Sequence, residues 1–311
     1  MEERLEDLTP CIACLQGCVA NMYAGNPVCC LTNPFLGHEA EPLEKAEEPK
    51  KVMVIGGGVA GLSAAFIAKE RGHEVTLYEA GDVLGGNMRL AAYPPGKGDI
   101  TNMIRSYIHR CQKDGVKIVM NCEVTPELIK EEKPDSVIIA TGSKTLILPI
   151  EGIDNPAIIH GSDLLDGKRA AGKKVLVVGG GMVGCETAAF LGEQEHDVTV
   201  IEFRDTVGAD VIHEHRVYLM KDFEDYGIKE ITGAKVCKFY EDGVEYETAD
   251  GVRHESRGYD SVILSMGFRN YNPLEEKIKD LVPETHVIGD AIRARRALDA
   301  TKEAYEVASR I

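Results

Sequence analysis

Two glycine turns of one design, each set between an apolar strand and a helix, constrain this 311-residue chain more than any other feature. The first follows Val52-Met53-Val54-Ile55 and reads Gly56-Gly57-Gly58-Val59-Ala60-Gly61. The second follows Val175-Leu176-Val177-Val178 and reads Gly179-Gly180-Gly181-Met182-Val183-Gly184. In each copy an acid stands 18 positions after the last glycine, Glu79 in one and Glu202 in the other. A lone G-x-G-x-x-G is a weak signal, but strand, turn, helix, strand and acid in that order is the context a dinucleotide fingerprint requires. Gly56 and Gly179 permit the tight turn. Gly58 and Gly181 let backbone approach a pyrophosphate, and Gly61 and Gly184 allow close helix–strand packing. The helix start offers free N–H groups and partial positive charge to phosphate. Glu79 and Glu202 are placed to accept hydrogen bonds from ribose hydroxyls. A nucleotide-free unit that merely needs tight turns explains one copy; it does not explain two with matching acids. Two bound dinucleotides imply electron transfer between them.

The repeat extends past the glycine turns. Ser136-Val137-Ile138-Ile139-Ala140 runs into Thr141-Gly142, and Ser261-Val262-Ile263-Leu264 runs into Ser265-Met266-Gly267. The expected fold class is α/β, with two Rossmann-like dinucleotide-binding domains preceded by a cysteine-rich segment over 1–37 and an acidic, proline-punctuated linker over 38–50. The first domain is incomplete without the last stretch of chain. The second is therefore read as an insertion: an outer domain over 51–153 and 268–311 and an inner one over 154–267. Helices are expected from Gly61 to Glu70, near Ile100–Lys113, from Gly184 to Leu191 and over 297–311. Turns at Asp242-Gly243 and Asp250-Gly251 suit a β-hairpin of strands near 235–240 and 244–248.

Bulk properties exclude several classes. No apolar run approaches the roughly 20 residues of a membrane helix, and Met1 to Pro10 is charged rather than signal-like, so a cytoplasmic location is expected. A net charge of −16 argues against a nucleic-acid surface, which needs clustered Lys and Arg. The carboxylate of Glu202 accepts from a 2′-hydroxyl and repels a 2′-phosphate, which favours NADH over NADPH in the second domain. Arg204, nearby, reads as a solvated surface residue.

Five of the nine cysteines fall in the first 30 residues: Cys11, Cys14, Cys18, Cys29 and Cys30. In a cytosolic chain such density points to metal or redox chemistry rather than structural disulfides. The spacing is C-x2-C-x3-C followed by either Cys29 or Cys30. Four thiolates suit an iron–sulfur cluster; a four-cysteine zinc site is the chemical rival. Cys111, Cys122, Cys185 and Cys237 read as small buried hydrophobes.

Together these residues resemble the C-terminal half of the flavoprotein family of 2,4-dienoyl-CoA reductase, 2-enoate reductases and trimethylamine dehydrogenase, in which an old-yellow-enzyme-type FMN barrel precedes an iron–sulfur segment and a disulfide-reductase-type nucleotide module. The matching stretches are Cys11-Ile12-Ala13-Cys14-Leu15-Gln16-Gly17-Cys18, Cys30-Leu31-Thr32-Asn33-Pro34, His38-Glu39, Leu84-Gly85-Gly86, Ala140-Thr141-Gly142 and Ile288-Gly289-Asp290. The resemblance implies a [4Fe–4S] cluster on Cys11, Cys14, Cys18 and Cys30. It implies FAD in the first domain, near Gly56, Gly58, Gly61, Glu79, Thr141, Gly142 and Gly289. There Gly86 and Arg89 lie by its pyrophosphate, Val124 at the adenine through backbone, and Asp290 at the ribityl chain. It implies NADH in the second domain on Gly179, Gly181, Gly184 and Glu202, with Gly267 facing the nicotinamide nucleotide. The FMN barrel has no counterpart in this sequence, so FMN is expected on a missing domain or a partner subunit, and the family's substrate-reducing residues do not carry over.

The expected activity is that of an NADH-oxidising electron-transfer module: NADH to FAD, to the cluster, and on to an FMN-containing reductase of enoates or enoyl-CoA thioesters. Hydride transfer between cofactors needs no side-chain acid or base, so no catalytic residue is assigned. Glu186 stands either at the nicotinamide end or as a plain helix-terminal charge. Homo- or hetero-oligomers are both open, as is the natural acceptor. Two rivals stay on the table. One is a ferredoxin- or thiol-linked reductase, or a glutamate-synthase-small-subunit-like enzyme. The other is a non-catalytic subunit that merely holds an adenine nucleotide.

Overall fold

The computed structural model describes residues 4–41 and 43–311. Residues 1–3 of the cysteine-rich segment and Pro42 of the linker lie outside the described residues. The chain divides into two compact units: Met1–Ala92, Asp99–Lys144 and Arg269–Ile311 form the first, and Tyr93–Gly98 with Thr145–Phe268 form the second. Each is an α/β unit built on a five-stranded parallel sheet.

In the first unit the strand order is Glu284–Val287, Ser136–Ile139, Lys51–Ile55, Glu74–Tyr78, Lys117–Val119. Val52, Met53, Val54 and Ile55 are all buried, the continuous apolar run expected of a strand covered on both faces. Helix Val59–Glu70 is buried over nearly its whole length because Ala64, Ala65 and Ala68 let it lie close to its neighbours, including helix Ala297–Ala308. Helix Ile100–Lys113 buries only Ile100, Met103, Ile104, Tyr107 and Cys111, the stripe of an amphipathic helix on a core.

The second unit repeats the plan in the order Ile159–His160, Ser261–Leu264, Lys174–Val178, Asp197–Ile201, Lys229–Ile231. The two sheets differ in where the strand beside Ser136–Ile139 or Ser261–Leu264 comes from. In the first unit it arrives at the end of the chain; in the second it precedes the glycine turn. The expected hairpin is a three-stranded antiparallel meander of Lys235–Tyr240, Gly243–Glu247 and Arg253–Ser256. The third strand, Arg-His-Glu-Ser, is polar and mostly exposed, so its sequence carries no strand pattern.

Both glycine-turn helices begin two residues before the expected start, at Val59 and Met182. The second fingerprint glycine serves as N-cap in extended backbone, φ −73° at Gly58 and −71° at Gly181, which places the first helical amides directly after it. The last helix stops at Ala308. Among the described residues no helix is long and apolar enough to cross a membrane.

Candidate functional site: two nucleotide cradles and a cysteine loop

Each cradle forms where the carboxyl ends of the central strands meet a glycine turn. Gly56 takes φ +109° and donates its N–H to the Tyr78 carbonyl at 2.8 Å; Gly179 takes φ +107° and donates to Ile201 at 2.9 Å. A Cβ on Gly61 or Gly184 would strike the carbonyl oxygen of Gly56 or Gly179 well inside 3.0 Å. These four glycines are demanded by the protein itself. Gly58 and Gly181 are not: the nearest protein atom to a Cβ there lies at 4.0 Å and 3.5 Å, respectively. A second glycine that could carry a Cβ without a clash, yet carries none, is what a backbone kept bare for a ligand leaves.

The two acids hold matching positions. Glu79 accepts from the Gly57 N–H at 2.6 Å and the Gly81 N–H at 2.7 Å. Glu202 accepts from Gly180 at 2.6 Å and Arg204 at 2.9 Å. Charge-assisted bonds of this kind fix the carboxylate, while each oxygen keeps a second lone pair for a ribose hydroxyl.

Around the first cradle the structure brings together the segments named above. Gly86 adopts φ +54°, and a Cβ there would lie 3.1 Å from the Gly58 Cα. Arg89 follows in the short helix Asn87–Leu90. The Thr141 hydroxyl donates to the Tyr271 carbonyl, and Gly142, at φ +73°, accepts from the Tyr271 N–H at 2.9 Å. Gly289, at φ +63°, is wedged against Ala60 and Ala300 and donates its N–H to Glu303 at 2.7 Å. Asp290 accepts from the Ser143 hydroxyl at 2.8 Å and the Arg295 N–H at 3.0 Å. The Val124 side chain is buried with Ile55 and Tyr78, which leaves only its backbone for any ligand. In the second cradle Gly267 takes φ +101°, with no protein atom within 4 Å of its missing Cβ.

Glu186 is neither freely placed nor a surface charge. It is buried in the second unit and paired with the Lys97 ammonium, a residue without any motif of its own. Burial raises its pKa and Lys97 pulls it back down. Sequence reasoning also missed Ser143, which holds Asp290, and Gln16, whose side-chain oxygen accepts from the Leu298 N–H at 3.3 Å.

The cysteine loop gathers four thiols. Burial raises the Cys14 thiol, the Gln16 backbone lowers it, and the thiols of Cys30, Cys18 and Cys11 raise it further. The Cys29 sulfur accepts from the Asn21 amide at 3.4 Å. Ala13 and Leu15, between the ligands, take φ of +51° and +55°, and a Cβ on Gly17 would lie 2.5 Å from the Cys29 carbonyl oxygen. Backbone this constrained folds the C-x2-C-x3-C run into a compact loop. Among the described residues no three His, Cys, Asp or Glu side chains converge as a single metal ion requires. A zinc ion needs all its sulfurs about 2.3 Å from one point, whereas a four-iron cluster takes one thiolate at each of several irons. The donor set, thiols alone, suits a four-iron cluster in kind.

The model of the family described as pyridine nucleotide-disulphide oxidoreductase matches residues 50–288. Cinnamate reductase of Clostridium sporogenes is 34% identical over 100% of this chain and 47% of its own length. An NADH oxidase of Thermoanaerobacter brockii is 34% identical over 100% of the chain and 49% of its own length. A solved 2-naphthoyl-CoA reductase complex superposes with a TM-score of 0.94 at 33% identity, over 99% of this chain and 47% of that one. The chain thus spans about half the length of the curated relatives it matches. The family supports binding of FAD and NAD(P)H. The chain belongs to the pyridine nucleotide-disulphide oxidoreductase family, an oxidoreductase family, and corresponds to the FAD- and NAD(P)-binding part of the 2,4-dienoyl-CoA reductase flavoproteins.

Proposed function

We propose that the chain is the NADH-oxidising electron-transfer module of a flavin-dependent reductase. The first unit takes FAD, the second NADH, and Cys11, Cys14, Cys18 and Cys30 a [4Fe–4S] cluster. When bound, these groups supply hydride transfer from NADH to FAD and single-electron passage onward to an FMN-containing domain or partner that reduces an enoate or enoyl-CoA-type substrate. The observation that carries the reading is the duplicated cradle, in which the second glycine is not demanded by protein packing and the acid is locked to the turn.

The chain's own residues place and hold. Gly58 and Gly181 leave room for pyrophosphate at the first amides of a 12-residue helix in each unit. Glu79 and Glu202 present a remaining lone pair to ribose. Asp290, oriented by Ser143, offers its carboxylate beside the 3₁₀ turn Gly289–Ala291. Thr141 and Gly142 are both tied to Tyr271 by hydrogen bonds, which holds this segment in place. In the cysteine loop Cys14 and Cys30 are partly buried while Cys11 and Cys18 are exposed. Exposed Leu5, Leu8, Met22 and Tyr23 lie in the same segment of chain, a composition that suits contact with the FMN-bearing part. The names of the relatives, a cinnamate reductase and a 2-naphthoyl-CoA reductase, support an unsaturated acid or acyl thioester as the final acceptor. An anaerobic cytoplasm is the setting in which exposed cluster thiolates would survive.

Anaerobic stopped-flow on the reconstituted full chain tests the proposal. NADH should bleach the flavin band, and cluster absorbance should fall afterwards. A flavin that stays oxidised under excess NADH sinks it.

A further inference from the structure

The two cradles share a strap that differs at one residue. Six positions after each acid comes a glycine, Gly85 or Gly208, whose N–H donates to the middle carbonyl of the glycine turn: Gly85 to Gly57 at 2.8 Å, and Gly208 to Gly180 at 2.7 Å. Two positions further stands Asn87 in the first unit and Asp210 in the second. The uncharged Asn87 side chain turns toward the Ser143 hydroxyl, 3.3 Å away. Asp210 instead accepts the N–H of Met182 at 2.9 Å. Both of its carboxylate oxygens lie within 3.6 Å of the position a Cβ on Gly181 would take.

Met182 N–H is the first amide of helix Met182–Glu193, and Gly181 is the glycine at which pyrophosphate approaches in this fingerprint. A carboxylate therefore already occupies the phosphate position in one cradle and not in the other. We infer that Asp210 sets the affinity of the second cradle: an internal anion that an incoming dinucleotide displaces from the Met182 amide, so that this site binds and releases its ligand readily. Among the described residues the first cradle carries no such competitor, and it retains its nucleotide. That asymmetry is what a module needs if one nucleotide is resident and the other is a substrate that leaves as product. The inference rests on the reading that the second unit takes NADH.

Calorimetric titration of the full chain separates the two ideas. The probes are ADP-ribose, which carries adenosine and the pyrophosphate but no nicotinamide, and adenosine, which carries no phosphate. Asp210→Asn should tighten ADP-ribose about tenfold, on the order of 1.4 kcal/mol, and leave adenosine unchanged. Asp210→Ser, run in parallel and checked for fold by circular dichroism, should tighten it similarly. ADP-ribose bound by the wild type, but equally or more weakly by both variants, overturns the role of Asp210 alone. A wild type that binds neither ADP-ribose nor NADH overturns the nucleotide site and the inference with it.

Discussion

Glu202 accepts a hydrogen bond from the Gly180 N–H at 2.6 Å, so the acid proposed to hold the ribose also braces the turn proposed to hold the phosphates. Glu79 and Gly57 are joined at the same distance in the first unit. One side chain thus links both halves of each cradle, and its removal should affect both.

Glu202→Ala should raise the dissociation constant for NADH by about tenfold, the order expected when one charge-assisted bond is lost. It should also narrow the preference for NADH over NADPH, because the carboxylate that repels a 2′-phosphate is gone. Steady-state comparison of the two nucleotides measures this. An unchanged ratio would show that Glu202 does not select the cofactor.

The fingerprint glycines should separate stability from binding. A Cβ on Gly184 meets the Gly179 carbonyl, so Gly184→Ala should cost about 1–3 kcal/mol through overpacking and lower the Tm. Gly181→Ala meets no protein atom closer than 3.5 Å, so it should keep the wild-type Tm and lose NADH affinity. Thermal melts paired with NADH titrations decide the matter. If Gly181→Ala also unfolds the chain, the bare backbone at that glycine serves the fold and not a ligand.

Partly exposed Lys97 and buried Glu186 form an ion pair whose loss should depend on pH. Burial raises the Glu186 pKa, so the folded chain keeps that proton to higher pH than the unfolded chain does. The residue's contribution is fully present below the unfolded carboxylate pKa and is lost as pH rises toward the folded one. Lys97→Met removes the compensating charge and should cost about 3 kcal/mol at about pH 8, and less at about pH 5. Adding Glu186→Gln should recover most of that loss. Urea midpoints for the single and double variants provide the check; a double variant no more stable than Lys97→Met would show that the pair is not the cause.

Cys30 and its neighbour Cys29 should behave differently. Cys30 belongs to the set of thiols that Cys14 senses, while the Cys29 sulfur accepts from Asn21. After anaerobic reconstitution, Cys30→Ser should lose most bound iron and acid-labile sulfide, and Cys29→Ser should retain both. Equal loss in the two variants would contradict the ligand assignment.

The α/β class and both parallel-sheet cores were legible because their signals are local. Val52–Ile55 and Val175–Val178 are unbroken apolar strands, and the glycine turns follow at once. Strands such as Lys229–Ile231 and Arg253–Ser256 were not legible. They are short and charged, and become strands only by pairing with Asp197–Ile201 and Gly243–Glu247. The helix starts were misplaced by two residues because the second glycine acts as the cap, a role set by backbone geometry rather than by a capping side chain.

By itself, the sequence determined the two glycine-turn units, the acids that follow them and a cysteine-rich head, since each is written in residues close together along the chain. Only the tertiary structure decided that Lys97 neutralises Glu186, that Ser143 orients Asp290, that Gln16 reaches the Leu298 amide, and that Asp210 covers Met182. Those partners are separated by 28 to 282 positions. Spacing along a chain has no bearing on contacts of that range; they exist only once the sheets have folded and brought the segments together.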